Sequence, residues 1–266
     1  MSLQHRIRTQ WQRSKKMASV THAFIGGFKK AHQIGAFKEP PRDILPKYIQ
    51  VFCRKMCLAF GVQVVTVKPM PATHGLWASN HISWLDIPVA GSVSGAFFLS
   101  KAEIAKWPLV GALAKAGGTL FIQRGSGDAG TVAEQIAKFM TQGASVLFFP
   151  EATTTNGHKI KRIHGKLLQA AIQTNLPIQP MVICYVDKHG HISTQIPYYG
   201  DMTIKDSFMH VLDDDEITAY VLPLEPLYPD GKSQHELTDL LQQRLQDGLS
   251  TLQQQVLTVK PIDALW

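Results

Sequence analysis

From residue 61 onward, short runs rich in β-branched and aromatic residues alternate with stretches of helical periodicity. This alternation limits the fold more than any other feature of the chain. The strand-like runs are 62–67, 76–79, 97–100, 119–122, 145–149, 178–185 and 217–222. Helical patterns cover 85–91, 108–115, 131–142, 166–174 and 234–249. Such an order predicts an α/β fold with a mixed, mostly parallel sheet flanked by helices. Sheets of this kind carry their chemistry on loops at the carboxyl ends of strands. A chain of 266 residues, 45% hydrophobic, is long enough to bury the core of one such domain.

The beginning of the chain has a different composition. Residues 1–38 hold no Asp or Glu but carry Arg6, Arg8, Arg13, Lys15, Lys16, Lys29, Lys30 and Lys38, interleaved with Trp11, Phe24 and Phe28. A basic, aromatic segment of this kind suits an anionic surface. No nucleic-acid-binding motif accompanies it, so a membrane is favoured over nucleic acid. After Pro40 and Pro41, Tyr48, Ile49, Phe52, Met56 and Phe60 recur at helical spacing, predicting an amphipathic helix that packs on the core or lies among lipid headgroups. The expected division is a basic N-terminal extension with its helix over 1–60 and a catalytic domain over 61–266. No apolar run reaches the roughly 18 residues needed to span a bilayer, and no signal-type segment is visible. The expectation is a peripheral protein on the cytoplasmic face of the inner (cell) membrane, whose binding weakens when Lys15, Lys16, Lys29 and Lys30 are neutralised. Cys53, Cys57 and Cys184 read as small buried hydrophobes, and the scattered histidines show no metal-ligand spacing.

Four segments could carry chemistry. Asn80-His81-Ile82-Ser83-Trp84-Leu85-Asp86 follows a strand. If residues 82–85 turn into a helix, Asp86 returns beside His81, fixes its tautomer and leaves the other ring nitrogen free to take a proton. That is the base and orienter of a triad without its serine, and the nucleophile can then be the alcohol of a substrate. Taken alone, the pair is a weak signal and reads first as a satisfied structural histidine. Gly118-Thr119-Leu120-Phe121-Ile122-Gln123-Arg124 delivers an arginine at a strand end, where its guanidinium suits phosphate. Phe149-Pro150-Glu151-Ala152-Thr153-Thr154 ends a buried-type strand at a proline and places a carboxylate just beyond it, with Lys159 and Lys161 following. Leu176-Pro177-Ile178-Gln179-Pro180 predicts a short or boundary strand, because each proline removes a ladder donor.

In order and spacing these four segments resemble the 1-acylglycerol-3-phosphate acyltransferases, the PlsC-like glycerolipid family. That family carries an NHxxxxD block (its HxxxxD motif), a block ending in arginine, an FPEGTR block and a proline-flanked strand. The resemblance spans roughly residues 60–225 and implies a membrane-associated enzyme of phospholipid biosynthesis. It would move a fatty acyl group from an acyl thioester, acyl-CoA or acyl-carrier protein, to the hydroxyl of a lysolipid. The acceptor implied first is 1-acyl-sn-glycerol-3-phosphate, and no further cofactor or metal is implied. His81 becomes the base and Asp86 its partner. Arg124 and Glu151 hold the acceptor, with Asn80, Thr153 and Lys159 as further binding candidates. Two departures matter. Thr154 stands where the family has Arg, which removes a phosphate ligand and brings in a lyso-ornithine lipid or another lyso-aminolipid as the alternative acceptor. Ala152 stands where the family has Gly, and the expectation is that positive φ is not needed there.

Two other function classes compete. Gly125-Ser126-Gly127-Asp128-Ala129-Gly130 matches the dinucleotide-binding G-x-G-x-x-G between a strand and a helix, with Glu151 as the ribose acid of a nucleotide-binding oxidoreductase. Against it, Gln123 and Arg124 put polar residues where the strand enters the turn, and no second nucleotide-binding half is evident. The other class is a non-catalytic lipid-binding protein, which has no need of a base such as His81.

Overall fold

The computed structural model describes residues 3–122, 129–214 and 216–258. Two helices come first, α1 (Leu3–Gln33) and α2 (Leu45–Phe60), followed by β1 (Val62–Thr66), β2 (Leu76–Ser79), α3 (Asp86–Ser94) and β3 (Phe97–Lys101). A short 3₁₀ turn, Ala102–Lys106, leads to α4 (Val110–Ala116), β4 (Leu120–Ile122), α5 (Ala129–Thr141) and β5 (Val146–Phe148). The chain ends with α6 (Gln169–Thr174), β6 (Ile178–Val186), α7 (Ile204–Asp213), β7 (Ile217–Pro223) and α8 (Gln234–Thr258). All seven expected strands form, and they share one sheet in the order β1-β7-β6-β2-β5-β3-β4. Five of the six neighbouring pairs are parallel, and β6–β7 is antiparallel. The carboxyl ends of β2, β3, β4, β5 and β6 therefore lie along one edge.

Helices cover both faces of the sheet. On one face α8 places Leu237, Leu241, Leu245, Leu249 and Leu252, all fully buried, with Ile136 and Met140 of α5 against the strands. On the other face Met56, Cys57 and Phe60 of α2, Val89 of α3 and Val211 of α7 form a second core with Trp77, Met181 and Tyr185. The α2 helix thus packs on the core, while its outer side leaves Val51 and Leu58 exposed. Cys53, Cys57 and Cys184 are buried and reduced, and burial pushes the Cys57 and Cys184 thiols up to about 12.

The basic extension is mostly one helix, α1, held on the same face by Val20 and Ala23. Not all of its cations face outward. Lys16 is 9% exposed and donates to Val211 O at 3.0 Å and Asp214 O at 2.5 Å, capping the carbonyl end of α7. Arg13 forms a two-pronged pair with Asp213 at 2.5 and 2.8 Å. The expected role of Lys16 at a lipid surface is thereby corrected: its ammonium anchors α1 to α7. No helix among the described residues is long and apolar enough to cross a membrane.

The proline-flanked strand is also corrected. β6 runs nine buried residues through the middle of the sheet and contains Pro180. In the antiparallel pairing Pro180 lies opposite Leu224, whose N–H donates to Pro180 O at 3.0 Å. Pro180 has no N–H to return, and the Gln179 side chain supplies one, donating to Leu224 O at 2.6 Å. The central position survives because a side-chain amide replaces the missing backbone donor.

Candidate active site

The site grows out of the carboxyl end of β2. Asn80, the first residue beyond the strand, is 1% exposed. Its amide donates to Ile183 O at 3.0 Å and accepts from Ile183 N at 2.8 Å, locking the chain to β6. The backbone then turns into α3, and Asp86 at the first helical position comes back over the turn. Its Oδ2 lies 2.8 Å from His81 Nδ1 and accepts from Ile82 N at 2.6 Å and Ser83 N at 2.9 Å. Its Oδ1 accepts from the Tyr185 hydroxyl at 2.8 Å. Asp86 is fully buried, so these donors and the helix N-terminus stand in for water around its charge. Burial and the neighbouring carboxylate push Tyr185 well above the usual phenol range, so it remains a neutral donor.

His81 is fixed at three further points. Its ring stacks on Phe149 at 4.0 Å between centroids, its N–H donates to Glu151 Oε1 at 2.8 Å, and its carbonyl accepts from Thr155 N at 2.9 Å. The second Glu151 oxygen accepts from Lys161 N at 2.7 Å. The Glu151 carboxylate, expected to hold an acceptor, thus binds the histidine's own backbone to the loop 149–165. Burial raises its carboxyl above the ordinary 4.5, against the pull of these two N–H groups. With Nδ1 committed to Asp86, the ring nitrogen left is Nε2, on a side chain 19% exposed. Such an arrangement can accept a proton from a bound hydroxyl and hold the resulting imidazolium against a buried carboxylate.

Ala152 closes the turn after Pro150, donating its N–H to Phe149 O at 3.1 Å, and has φ +57°. The expectation for this position is overturned: the backbone does take the left-handed conformation, and alanine occupies it under strain. Thr153 and Lys159 are exposed on the same loop, and Thr154 is half-buried. Arg124 lies outside the described residues, as does most of the G-x-G-x-x-G segment. The sheet order nevertheless weighs against a dinucleotide site. β4, which leads into that segment, neighbours only β3, whereas Glu151 follows β5, two places away. A ribose acid belongs on the adjacent strand. Among the described residues, no group of three or more His, Cys, Asp or Glu side chains is placed to hold a metal.

Tyr185, Thr155 and Phe149 are site residues that sequence reasoning did not single out for a role. Tyr185 had a legible signal: it is a hydroxyl at the end of an otherwise apolar buried run, and a buried phenol needs a partner. Thr155 and Phe149 had none, since their roles depend on how the 149–165 loop folds back over His81.

An acyltransferase family profile matches residues 61–184, the stretch from β1 to β6 that builds this site. The chain is 35% identical to the lyso-ornithine lipid O-acyltransferase of Pseudomonas aeruginosa over 215 residues, 81% of this chain and 82% of that one. It is 30% identical to the 1-acyl-sn-glycerol-3-phosphate acyltransferase of Neisseria meningitidis serogroup B over 62% of this chain and 64% of that one. The crystal structure of the 1-acyl-sn-glycerophosphate acyltransferase PlsC from Thermotoga maritima superposes with a TM-score of 0.68, covering 93% of this chain and 97% of that one. At 20% identity this last likeness speaks for the fold. The family profile and the curated relatives define an acyl-transferring enzyme. Identity over four fifths of both chains carries the assignment further: this protein belongs to the PlsC-like family of lysolipid acyltransferases.

Proposed function

We propose that this enzyme transfers a fatty acyl group from an acyl thioester, acyl-CoA or acyl-carrier protein, to the hydroxyl of a lyso-ornithine lipid at the cytoplasmic surface of an anionic membrane. The observation that carries the reaction is the 2.8 Å contact of His81 Nδ1 with the buried, four-times-donated Asp86, which leaves Nε2 as the base. Nε2 takes the acceptor's hydroxyl proton as the oxygen attacks the thioester carbonyl. The tetrahedral oxyanion collapses, the carbon–sulfur bond breaks, and the departing thiolate takes the proton back from the imidazolium. The acceptor's own oxygen is the nucleophile, so no acyl-enzyme is required.

Two observations favour the lyso-aminolipid. The Pseudomonas relative is matched over more of its length and at higher identity than the Neisseria one. Thr154 also leaves the turn after Glu151 without a guanidinium for a phosphate monoester. The second reading, 1-acyl-sn-glycerol-3-phosphate, draws on Lys159, Lys161 and Arg162, all exposed on the same loop. A screen of the purified chain with one labelled acyl thioester against lyso-ornithine lipid, lysophosphatidate and other lysophospholipids separates the two. The expected result is kcat/KM at least about tenfold higher for lyso-ornithine lipid, a difference of about 1.4 kcal/mol. A preference for lysophosphatidate would replace this acceptor with the second reading.

A further inference from the structure

The turn between the 3₁₀ segment and α4 is strained and apolar. Leu109 has φ +61° and ψ −57°, and Val110 N donates to Pro108 O at 2.6 Å. This is a γ-turn of the rare form that an L-residue adopts only under strain. It holds out three large apolar side chains within four residues: Leu109 is 60% exposed, Trp107 42% and Val110 39%. Leucine in that conformation relaxes neither the turn nor the core. Lys101 and Lys106 precede the turn and Lys115 follows it, all exposed, and Glu103 is the single acid between residues 97 and 127.

Its position in the fold gives the turn a direction. β3 runs parallel to β5, and β5 to β2, so the chain leaves Lys101 at the same sheet edge from which His81 projects. α4 then packs on α1, with Leu113 against Gly27. Exposed apolar side chains, a tryptophan among them, in a segment whose exposed charges are mostly lysines match the chemistry of an anionic bilayer: leucine suits the acyl region, the indole its boundary and the ammonium groups the phosphates.

We propose that the turn at residues 107–110 inserts into the anionic membrane and seats the sheet edge carrying His81 against it. This inference rests on the reading of a lipid acceptor held in such a membrane. The test is binding of the full chain to phosphatidylcholine–phosphatidylglycerol vesicles, without acyl donor. Leu109→Gly relieves the positive φ, so the variant folds with an unchanged or raised Tm. Its vesicle partitioning is expected to fall about tenfold, the loss from one leucyl side chain leaving an apolar phase. Lipids brominated on the acyl chains should quench a component of the tryptophan emission that disappears in Trp107→Phe. Wild-type partitioning by Leu109→Gly, or no quenching traceable to Trp107, would overturn the proposal. So would a self-associated wild type that Leu109→Gly dissociates with no change in vesicle binding. Because no donor is present, an inactive wild type would count against acyl transfer alone and leave this result standing.

Discussion

Asp86 has its lone pairs filled from four directions, and this accounts for its place at zero exposure. Asp86→Asn places an amide where donors already converge, so at least one buried N–H or O–H loses its acceptor and the imidazole loses its tautomeric lock. Turnover should fall about 10⁴-fold, as when the orienting aspartate of a catalytic triad becomes asparagine. Steady-state assay of the folded variant checks this, and a loss under tenfold would contradict it. Glu151 gives a pH signature. Its folded carboxyl lies above the ordinary 4.5, so the native state holds its proton to higher pH than the unfolded chain. The stability this confers is complete below 4.5 and declines as pH rises through the folded value. Denaturation of wild type and Glu151→Gln from acid to neutral pH should show the wild-type advantage shrinking as pH rises, and an advantage that grows would refute the sign. That His81, Asp86 and Glu151 belong to one cluster was legible from the order of four short motifs. The use of Glu151 was not, because a carboxylate that clamps a backbone and one that binds a substrate read alike in one dimension.

At the scale of elements, the same limit appears wherever a backbone angle or a cross-strand partner decides. The seven strands and the helices between them other than α7 followed from periodicity, since burial on one or both faces sets it directly. Two features escaped because compensation is local and three-dimensional: Pro180 inside a central strand, rescued by Gln179, and Ala152 at φ +57°. α7 also escaped, although its N-cap is written in Thr203-Ile204-Lys205-Asp206, where the Thr203 hydroxyl accepts from Asp206 N at 3.1 Å. For the turn after β5, Ala152→Gly should raise Tm by about 1–2 °C. Release of about 1 kcal/mol of left-handed strain exceeds the added freedom of the unfolded chain. A fall in Tm on thermal denaturation would show that the methyl contributes more through contacts than the angle costs.

The whole molecule explains why a weak dyad motif becomes a site. The edge formed by the carboxyl ends of β2, β5 and β6 gathers the turn that bears His81 and Asp86, the loop that bears Glu151 and Thr155, and the last residues of β6, which include Tyr185. α8, from the far end of the chain, holds that loop from outside: Gln242 Oε1 accepts from Ile163 N at 2.9 Å, Gln246 Oε1 from Ile160 N at 3.0 Å, and Gln253 donates to Gly157 O at 2.8 Å. On the face opposite α8, α2 lies on the sheet and α1 packs on α2 and α7, leaving Trp11, Ile25 and Leu58 outward. The proposed role of this scaffold is to present the His81 imidazole, its Nδ1 held by Asp86, to a lipid hydroxyl. Its most direct test is transfer from a labelled acyl thioester to lyso-ornithine lipid by the wild type and by His81→Ala, with circular dichroism and vesicle binding as controls. The expected result is an O-acylated product from the wild type and a loss of at least about 10²–10⁴-fold in the variant, with both controls unchanged. A correctly folded His81→Ala enzyme that turns over near the wild-type rate would contradict it.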